Sequence, residues 1–419
     1  MSEWRNVRIK DIGNVVSGGT PKTKIDEYWN GDIAWITPKD LSNYNRKYIS
    51  KGERSISDLG LNSSSTNLVP AGTILMTSRA PIGYLAIAQN EVTTNQGFKN
   101  LICNPEHVYN QFMYYYFKVN IEYIKLFASG ATFPEISATK FKNIKIPIPS
   151  LETQNKIADF LSIYDELIEN NNRRIEVLEQ TAEEIYKEWF VRMRFPEYEN
   201  TKFDKGIPEG WQLKKVDDII SFDIGGGWGK YSPEDDFTEE AFVIRGTDIP
   251  EMKYGEINYE LLRYHKDSHL RNRRLKSSDI IFEASGGSKD QRLGRTYYIT
   301  DETLAMYDED VICASFCKLI RIDDKYLSWY FSNYLNYAYK TEALSIFEVQ
   351  STGISNFGFT KFKKHHQVLL PPKDLMKLFF DLTYNMYIEN QRLGRKNQNL
   401  KKQRDLLLPR LMNGTIKVK

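Results

Sequence analysis

Two long stretches of the chain place apolar residues at helical spacing. In the first, apolar or aromatic residues recur at steps of three and four, and the set is Ile157, Leu161, Tyr164, Ile168, Ile175, Leu178, Ala182, Ile185 and Trp189. In the second, they fall seven apart, at Phe379, Met386, Leu393, Leu400 and Leu407. These spacings predict two long helices with seams suited to a coiled coil. Asn171 occupies the vacant seam position of the first, where a polar residue fixes the register at some cost in stability.

The two predicted helices differ in charge and in the quality of their seams. The first is rich in Asp and Glu, whereas the second is rich in Lys and Arg. Intervening seam positions of the second are mixed, with apolar Leu382 beside polar Glu389, Lys396 and Gln403. A helix of roughly 35 residues extends about 50 Å, which is more than one small domain covers. We therefore predict that the helices pair as an antiparallel coiled coil, the alternative being that each packs on its own domain.

The remainder of the chain consists of two similar halves. Both begin with a tryptophan-led segment, at Trp4 and Trp211, and continue into a glycine-bearing turn, at 17–21 and 225–229. Further along the two halves, segment 72–76 resembles 278–282, and segment 139–142 resembles 360–363. Each half then ends in a proline-containing segment, at 147–149 and 371–372. Short β-branched and aromatic runs alternate with turn residues in each half. This pattern indicates two tandem similar domains of mixed α/β (α+β) class.

These patterns predict four segments. They are a first domain at 1–150, a first helix at 151–196, a second domain at 197–372, and a second helix with the C-terminal tail at 373–419. We expect the Tyr- and Phe-rich patches at 111–126 and 326–339 to be core rather than platforms for stacked bases. Two similar domains separated by long helices suit the reading of two half-sites about one DNA turn, roughly 34 Å, apart.

Composition narrows the function class. The formal net charge of +2 argues against a uniformly basic nucleic-acid binder and against an acidic mimic of DNA, so any DNA contact must come from local patches. Three cysteines are too few for a disulfide framework, which indicates a reducing compartment. Because no apolar run approaches the roughly 20 residues of a bilayer span, we expect a cytoplasmic protein with no membrane partner.

Motifs for catalysis are absent from the sequence. The glycine-rich segment 225–230 fails as a phosphate loop because Ile224 replaces the first glycine and Tyr231 the Ser or Thr. His265 and His269 share a helical spacing but lack a third metal ligand. We therefore expect no catalytic residue and no metal site on this chain. The alternatives are a nuclease or methyltransferase with an atypical site, and a scaffold for protein interaction.

The order of domain, helix, domain and helix resembles the specificity (S) subunit of type I restriction-modification systems. The tryptophan-led segments, the Ser-Gly-Gly-Thr-Pro turn at 17–21 and the Ile-Pro-Ile-Pro exit at 146–149 carry the likeness. The following segment 151–158 resembles the "PLxEQQxIA" opening of that family's first spacer helix. The opening of the second helix at 372–376 departs from the family because it lacks the glutamine-rich signature.

The resemblance implies that each half is a target-recognition domain and that the helices are spacers. It implies an asymmetric bipartite site on double-stranded DNA, with one half-site for each domain. It also implies two methyltransferase (M) subunits as partners, and motor-nuclease (R) subunits in the full complex. S-adenosylmethionine, ATP and Mg²⁺ are then expected on those partners, and no cofactor on this chain.

Polar residues beside glycine turns are the candidates for contact with DNA, since they can reach base edges where the backbone approaches closely. In the first half they are Thr20, Lys22, Lys39, Ser78, Arg79, Asn95, Gln96 and Thr132. In the second half they are Lys230, Arg245, Ser285, Ser288, Lys289, Gln291 and Arg292. Arg79 stands out because it directly follows a predicted strand and precedes a turn. Basic clusters at 271–276 and 361–366 are candidates for phosphate contact, or are solvated surface.

Overall fold

The protein folds into two compact units. The computed structural model describes residues 4–42, 44, 46–286, 292–350 and 355–418. The first unit comprises Met1–Glu169 and Asn399–Lys419, and the second comprises Asn170–Gln398. Each unit therefore contains one globular half and a stretch of both long helices. None of the helices formed by the described residues combines the length and apolarity needed to cross a membrane.

The described residues of the globular half of the first unit form ten strands and four short helices, followed by one long helix. The strands are β1 (Arg5–Arg8), β2 (Gly13–Ser17), β3 (Trp29–Ile36), β4 (Tyr48–Ile49), β5 (Arg54–Ile56), β6 (Ile74–Ser78), β7 (Ile82–Ala88), β8 (Thr93–Thr94), β9 (Lys99–Cys103) and β10 (Lys145–Ile148). The helices are α1 (Asp58–Asn62), α2 (Asn110–Val119), α3 (Ile121–Lys125), α4 (Ala138–Asn143) and α5 (Leu151–Tyr186). The sheets have the orders β2-β9-β6-β7-β4, β5-β3-β8 and β1-β10.

The core of the first unit lies between its five-stranded sheet and the helices. Helix α2 buries Phe112, Tyr115 and Phe117 completely, so the aromatic patch is core, as predicted. The start of α5 is fixed by Gln154, which is fully buried. Its amide donates to the carbonyl of Pro149 at 3.0 Å, and its oxygen accepts from the backbone N–H of Tyr109 at 2.9 Å. A glutamine of the helix opening thus serves to anchor the helix.

The second unit contains fourteen strands and the remaining helices within its described residues. The strands are β11 (Phe203–Asp204), β12 (Ile207–Pro208), β13 (Gln212–Lys215), β14 (Phe222–Gly225), β15 (Glu239–Ile244), β16 (Leu262–His265), β17 (Ile280–Glu283), β18 (Ser285–Gly286), β19 (Thr296–Tyr298), β20 (Asp310–Cys313), β21 (Cys317–Arg321), β22 (Glu348–Gln350), β23 (Ser355–Phe357) and β24 (Gln367–Leu370). The helices are α6 (Ile249–Met252), α7 (Asp267–Arg273), α8 (Asp301–Leu304), α9 (Lys325–Lys340), α10 (Phe359–His365) and α11 (Lys373–Met412).

The two globular halves repeat the same strand pairings. The antiparallel pairs β1–β10 and β2–β9 of the first correspond to β13–β24 and β14–β21 of the second. The parallel pair β3–β8 corresponds to β15–β20. After the first strand of each parallel pair, an aspartate caps a turn: Asp40 accepts from the N–H of Thr37, and Asp248 from that of Arg245. The prediction of two similar α/β domains, each followed by a long helix, is confirmed.

The long helices pair in the first unit through the beginning of α5 and the end of α11. Ile157 and Leu161 share one buried core with Leu408 and Leu411. Near the boundary of the unit, Arg404 Nη1 lies 2.5 Å from Asp165 Oδ1, and both side chains are largely buried. This pair joins an acid of the first helix to a base of the second, as the charge pattern predicts.

In the second unit the helices pair with opposite chain directions. Asn171 Nδ2 donates to Asn397 Oδ1 at 2.8 Å, and the Tyr186 ring lies 6.0 Å from that of Phe379. As the residue number rises along α5, the number of the residue that it contacts on α11 falls, so the two helices run antiparallel. Arg174 and Glu389 form an ion pair at 3.2 Å, in which the base belongs to the first helix. This pair reverses the predicted charges, which were acidic for the first helix and basic for the second, so the prediction from charge holds less well here.

The predicted seam of the first helix agrees better with the structure than that of the second. Leu161, Ile168, Ile175, Phe379 and Leu393 are buried, whereas Leu178, Ile185, Met386, Leu400 and Leu407 are half-buried. Leu382 was expected on the seam but is exposed, and the neighbouring Thr383 is buried instead. Thr383 accepts from the indole N–H of Trp329 at 2.9 Å. Hydrogen bonding thus replaces apolar contact at this seam position.

We expect Asn171→Leu to lower the free energy of unfolding by about 1–3 kcal/mol, because it leaves the side-chain oxygen of buried Asn397 without its hydrogen-bond donor. Asn171→Leu combined with Asn397→Leu should recover part of that loss, since Asn171 Nδ2 and Asn397 Oδ1 are both removed, while Asn172 Oδ1 loses the donor Asn397 Nδ2. Urea unfolding of the three variants measures the coupling. Asn170→Leu, at an exposed neighbouring position, is the matched control. If the two single losses simply add in the double variant, the asparagine pair does not act as a unit.

Candidate nucleic-acid interface

The glycine turn at 17–21 is docked on the loop that follows β8. The N–H of Gly19 donates to the carbonyl of Thr94 at 2.9 Å, and the Trp35 indole donates to the carbonyl of Gly19 at 3.0 Å. A Cβ atom on Gly18 would clash with the carbonyl oxygen of Asn95. Gly18 is therefore required for the close approach of the turn to this loop, and Gly19 for its approach to the backbone of Thr66.

This docking brings three predicted DNA-contacting residues together. The Thr20 hydroxyl donates to the side-chain oxygen of Gln96. Asn95 Oδ1 accepts from the backbone N–H of Gly97 at 2.8 Å and so shapes the turn that presents Gln96. Gln96 itself is exposed. The amide and hydroxyl groups are thus fixed at the surface, as direct reading of base edges requires.

Arg79 lies beside the same turn. A Cβ atom on Gly97 would be in van der Waals contact with Arg79, and the guanidinium lies 3.6 Å from Glu135 Oε2. Lys99 lies on the other side of that carboxylate, with Nζ 3.6 Å from Glu135 Oε1. Burial lowers the pKa of Lys99, and Glu135 opposes that shift. Arg79 is therefore held in place by a carboxylate that it shares with a buried lysine.

A small exposed loop at 129–135 borders Arg79. The backbones of Ser129 and Glu135 exchange hydrogen bonds of 2.9 and 3.0 Å, which close the loop. At its tip Thr132 is exposed, and the exposed fraction of Phe133 is 83%. Sequence reasoning missed Phe133, although the glycine and proline on either side of it mark a protruding turn. We call Thr20, Arg79, Asn95, Gln96 and the loop 129–135 the Arg79 cluster.

The other candidates of the first half lie apart from this set or below the surface. Ser78 is fully buried and donates its hydroxyl to the carbonyl of Gly97 at 3.1 Å, so it supports the turn and is not available to a base. Lys22 is exposed, and Lys39 is exposed and paired with Glu53 at 2.7 Å. The prediction for Ser78 therefore misjudged burial, because a serine at a strand end gives no sign of its exposure.

The glycine turn of the second half is docked in the same way. The N–H groups of Gly226 and Gly227 donate to the carbonyls of Cys317 and Cys313, both at 2.9 Å. A Cβ atom on Gly226 would clash with the carbonyl oxygen of Ala314, the counterpart of Asn95. The backbone of the turn is thus repeated between the halves, while the side chains around it differ.

Aromatic residues surround the second turn. The guanidinium carbon of Arg263 lies 4.2 Å from the ring centre of Tyr231 and 5.4 Å from that of Trp228. Arg263 is buried, whereas Tyr231 is 77% exposed. Such cation–π contacts fix the orientation of an exposed ring. We call these three residues the Trp228 stack. Sequence reasoning missed the Trp228 stack. The signal that could have revealed it is the presence of two aromatic residues, Trp228 and Tyr231, at the end of a glycine-rich turn.

The predicted contacts of the second half are engaged with acidic or polar partners. Lys230 pairs with Glu234, Arg245 with buried Asp248, and Arg292 with Glu342, while the Ser285 hydroxyl donates to Asn356. The bidentate contact of Arg245 with Asp248 belongs to the capped turn described above. Ser288, Lys289 and Gln291 lie outside the described residues.

The basic clusters are also engaged with carboxylates or backbone carbonyls. Arg273 donates to the carbonyl of Gly225 at 3.0 Å and thereby supports the glycine turn. In the other cluster, Lys363 lies 2.6 Å from Asp223 and 3.0 Å from Asp217. Among the described residues, no group of three His, Cys, Asp or Glu side chains is arranged to hold a metal ion. Burial raises the pKa of Cys103 and Cys313 to about 12, so neither is a thiolate at neutral pH.

Comparison with known proteins assigns the chain to a family. Residues 1–180 match the family model described as a type I restriction modification DNA specificity domain. The type I restriction enzyme MjaIX specificity subunit of Methanocaldococcus jannaschii is 36% identical, over 99% of this chain and 94% of its own length. This chain belongs to the family of type I restriction enzyme specificity subunits.

Two further comparisons describe the extent of the likeness. The EcoR124I/EcoR124II specificity subunit of Escherichia coli is 30% identical over 46% of this chain and 49% of its own length. The crystal structure of a type I restriction-modification S subunit from M. genitalium matches with a TM-score of 0.62 over 97% of this chain and 96% of that one, at 16% identity. The fold of this specificity subunit is therefore that of the solved S subunit in both halves.

We expect Arg79→Ala to weaken DNA binding by the assembled complex by about 10- to 100-fold, and to relax the preference at one base pair, since one bidentate base contact is worth about 1–3 kcal/mol. The matched control is Lys125→Ala, because Lys125 is similarly exposed and pairs with Glu122 at 2.7 Å. Titration of labelled duplexes carrying each single base change measures both effects. Equal losses for the two variants, with unchanged base preference, would show that Arg79 contributes only charge.

Proposed function

We propose that this specificity subunit reads an asymmetric bipartite site on double-stranded DNA, with one half-site for each globular half. The observation that carries the proposal is the repeated docked turn with different side chains. In the first half that turn presents the hydroxyl, amide and guanidinium groups of the Arg79 cluster. In the second it presents the Trp228 stack. Because the same backbone carries different chemistry, the two half-sites differ in sequence.

The long helices have two roles in this proposal. They set the gap between the half-sites, and they recruit the partner subunits. Exposed leucine and isoleucine residues one helical turn apart support the second role. Ile163 and Leu167 are exposed on α5 within the first unit, and Leu378 and Leu382 on α11 within the second. One such pair in each unit suits two methyltransferase subunits.

The chemistry of the complex belongs to the partners in this proposal. Methyltransferase subunits supply the S-adenosylmethionine site, and motor-nuclease subunits supply the ATP and Mg²⁺ sites of the full complex. This chain contributes recognition without catalysis and works in the cytoplasm. The thiols of half-buried Cys103 and buried Cys313, whose pKa values are raised, and the carboxylate-paired bases support this division of roles.

Methylome sequencing tests the reading of DNA. Cells that express this chain with its methyltransferase subunit should methylate a split motif with two unlike halves and a fixed gap. Cells that lack either chain should show no such methylation. Methylation of a continuous motif, or by this chain alone, would contradict the proposal and favour an enzyme with an atypical site.

Leu167→Asp tests the recruitment of the methyltransferase. We expect co-purification of that subunit to fall by at least tenfold, because a carboxylate would replace apolar surface at the contact. The thermal midpoint should change little, since Leu167 is exposed. Leu59→Asp on α1, at a similarly exposed leucine, is the control and should co-purify normally. Normal co-purification of the Leu167 variant would place the docking surface elsewhere.

A further inference from the structure

Each globular half inserts one lysine side chain against the long helices. In the first unit this is Lys47, whose Nζ donates to Ser162 Oγ of α5 at 2.9 Å and to Gln111 Oε1 of α2 at 2.5 Å. It also lies 3.2 Å from Tyr115 Oη and 4.6 Å from the centre of that ring. The side chain is buried. Lys47 thus joins the globular half to the first long helix.

The contacts of Lys47 extend to the second long helix. The Tyr115 hydroxyl donates to Asp165 of α5, and Asp165 is paired with Arg404 of α11 at 2.5 Å. Ser162 Oγ also donates to Gln111 Oε1 at 2.6 Å. Lysine, tyrosine, acid and arginine therefore form one continuous network from the globular half to both helices of the first unit.

Lys253 occupies the corresponding place in the second unit. Its Nζ donates to Asn336 Oδ1 of α9 at 3.0 Å, and Glu179 of α5 is the acid that interacts with it most strongly. The side chain of the next residue, Tyr254, favours the charged form of Glu179 and so opposes the rise in the pKa of that carboxyl that burial causes. The carbonyl of Tyr254 lies so close to Gly394 that a Cβ atom there would overlap it. This loop therefore contacts both long helices, as the network of Lys47 does.

The two lysines share their position in the repeat. Each follows the aspartate-capped turn of its half, which ends at Asp40 or Asp248. Each meets a side-chain amide oxygen of the aromatic helix, from Gln111 or Asn336. Each lies near an acid of α5. The recognition turns of the two halves differ in chemistry, whereas each half places a lysine between its aromatic helix and an acid of α5.

The surroundings of these lysines, of which Lys47 is buried and Lys253 half-buried, disfavour their charge. Burial lowers the pKa of Lys47 and of Lys253 to about 8, which means that the environment disfavours the charged form despite the nearby acids. A well-packed apolar side chain at such a position is often as stable as the buried charge or more so. What the hydrogen-bonded lysine adds is a single defined geometry, because its partners must all be met at once.

We propose that Lys47 and Lys253 are positioning residues for DNA recognition: each fixes the angle at which its globular half is held on the helix pair, and thereby the gap between half-sites that the subunit accepts. The inference rests on the proposed function and adds a determinant of spacing that touches no base. It also gives two acids of the first long helix a role, since Asp165 joins the network of Lys47 through Tyr115 and Glu179 lies near Lys253.

Methylation of a DNA library tests the inference in the complex with the methyltransferase subunit. The library holds both half-sites constant and varies the gap by up to two base pairs in either direction. Wild type should accept one gap. Lys47→Met and Lys253→Met should each methylate sites with at least one additional gap at a tenth of the best rate or more, with the half-site sequences unchanged. Lys156→Met on α5, an exposed lysine paired with Glu152, is the control and should keep the single gap.

Ser162→Ala provides a further variant, because it removes the hydroxyl that Lys47 contacts and leaves the lysine in place. This variant should also methylate sites with at least one additional gap. If all three variants still accept only the single gap of the wild type, the inference is overturned. A lower thermal midpoint in those variants would then show that the lysines only stabilise the fold. Failure of wild type to methylate any split motif would instead refute the proposed function. The two failures are therefore distinguishable.

A pH series checks that the buried lysine is the group concerned. The pKa of Lys47 is about 8 in the folded state and 10.5 in the unfolded chain, so between these values the unfolded chain binds more protons. Stability contributed by this group therefore rises with pH across that window. Asp165, Glu166 and Asp159 oppose the lowered pKa, and Lys118 adds to it. The urea midpoint of wild type should rise relative to that of Lys47→Met between pH 8 and pH 10, and a constant difference would show that Lys47 is not buried as a charge.

Discussion

Burial of the seam between the two long helices is the interaction on which the rest of the fold depends. In the first unit, Leu161 and Leu408 belong to the same core as the aromatic residues of α2. In the second, Tyr186 and Phe379 belong to the core that α9 completes. A small mixed domain has little apolar surface of its own to bury. Each globular half therefore uses the helices as one wall of its interior, and recognition surface and spacer form one folding unit.

The periodic features of the chain could be predicted from sequence. Helical spacing located both long helices, and the repeated turns identified two similar halves, because these signals depend on patterns of several residues. Polar groups buried by tertiary contact escaped prediction. Thr383 and Gln391 lie on the inner side of α11 because Trp329 and Thr300 offer them hydrogen bonds, and no local pattern announces such partners. Burial of Ser78 was missed for the same reason.

The candidate interface was predicted in part. The sequence named Thr20, Gln96 and Arg79 as separate candidates, and the structure places them beside one another at the turn that follows β8. The aromatic members Phe133 and Tyr231 were missed because apolar residues are assigned to the core by default. Their exposure follows from the turns that carry them. A sequence search for polar residues that could contact DNA thus overlooks aromatic residues that lie beside a glycine and are exposed.

The raised pKa of all three cysteine thiols, of which Cys313 and Cys317 are buried and Cys103 is half-buried, has a practical consequence for experiments on this protein. Cys313 and Cys317 are enclosed, and burial raises the pKa of the Cys103 thiol to about 12. Alkylating dyes react with the thiolate, so these native residues should stay unlabelled at neutral pH. A new cysteine on an exposed loop can therefore carry a fluorophore in the otherwise natural chain. Pairs of such labels would report the movement of each recognition turn during a search along DNA.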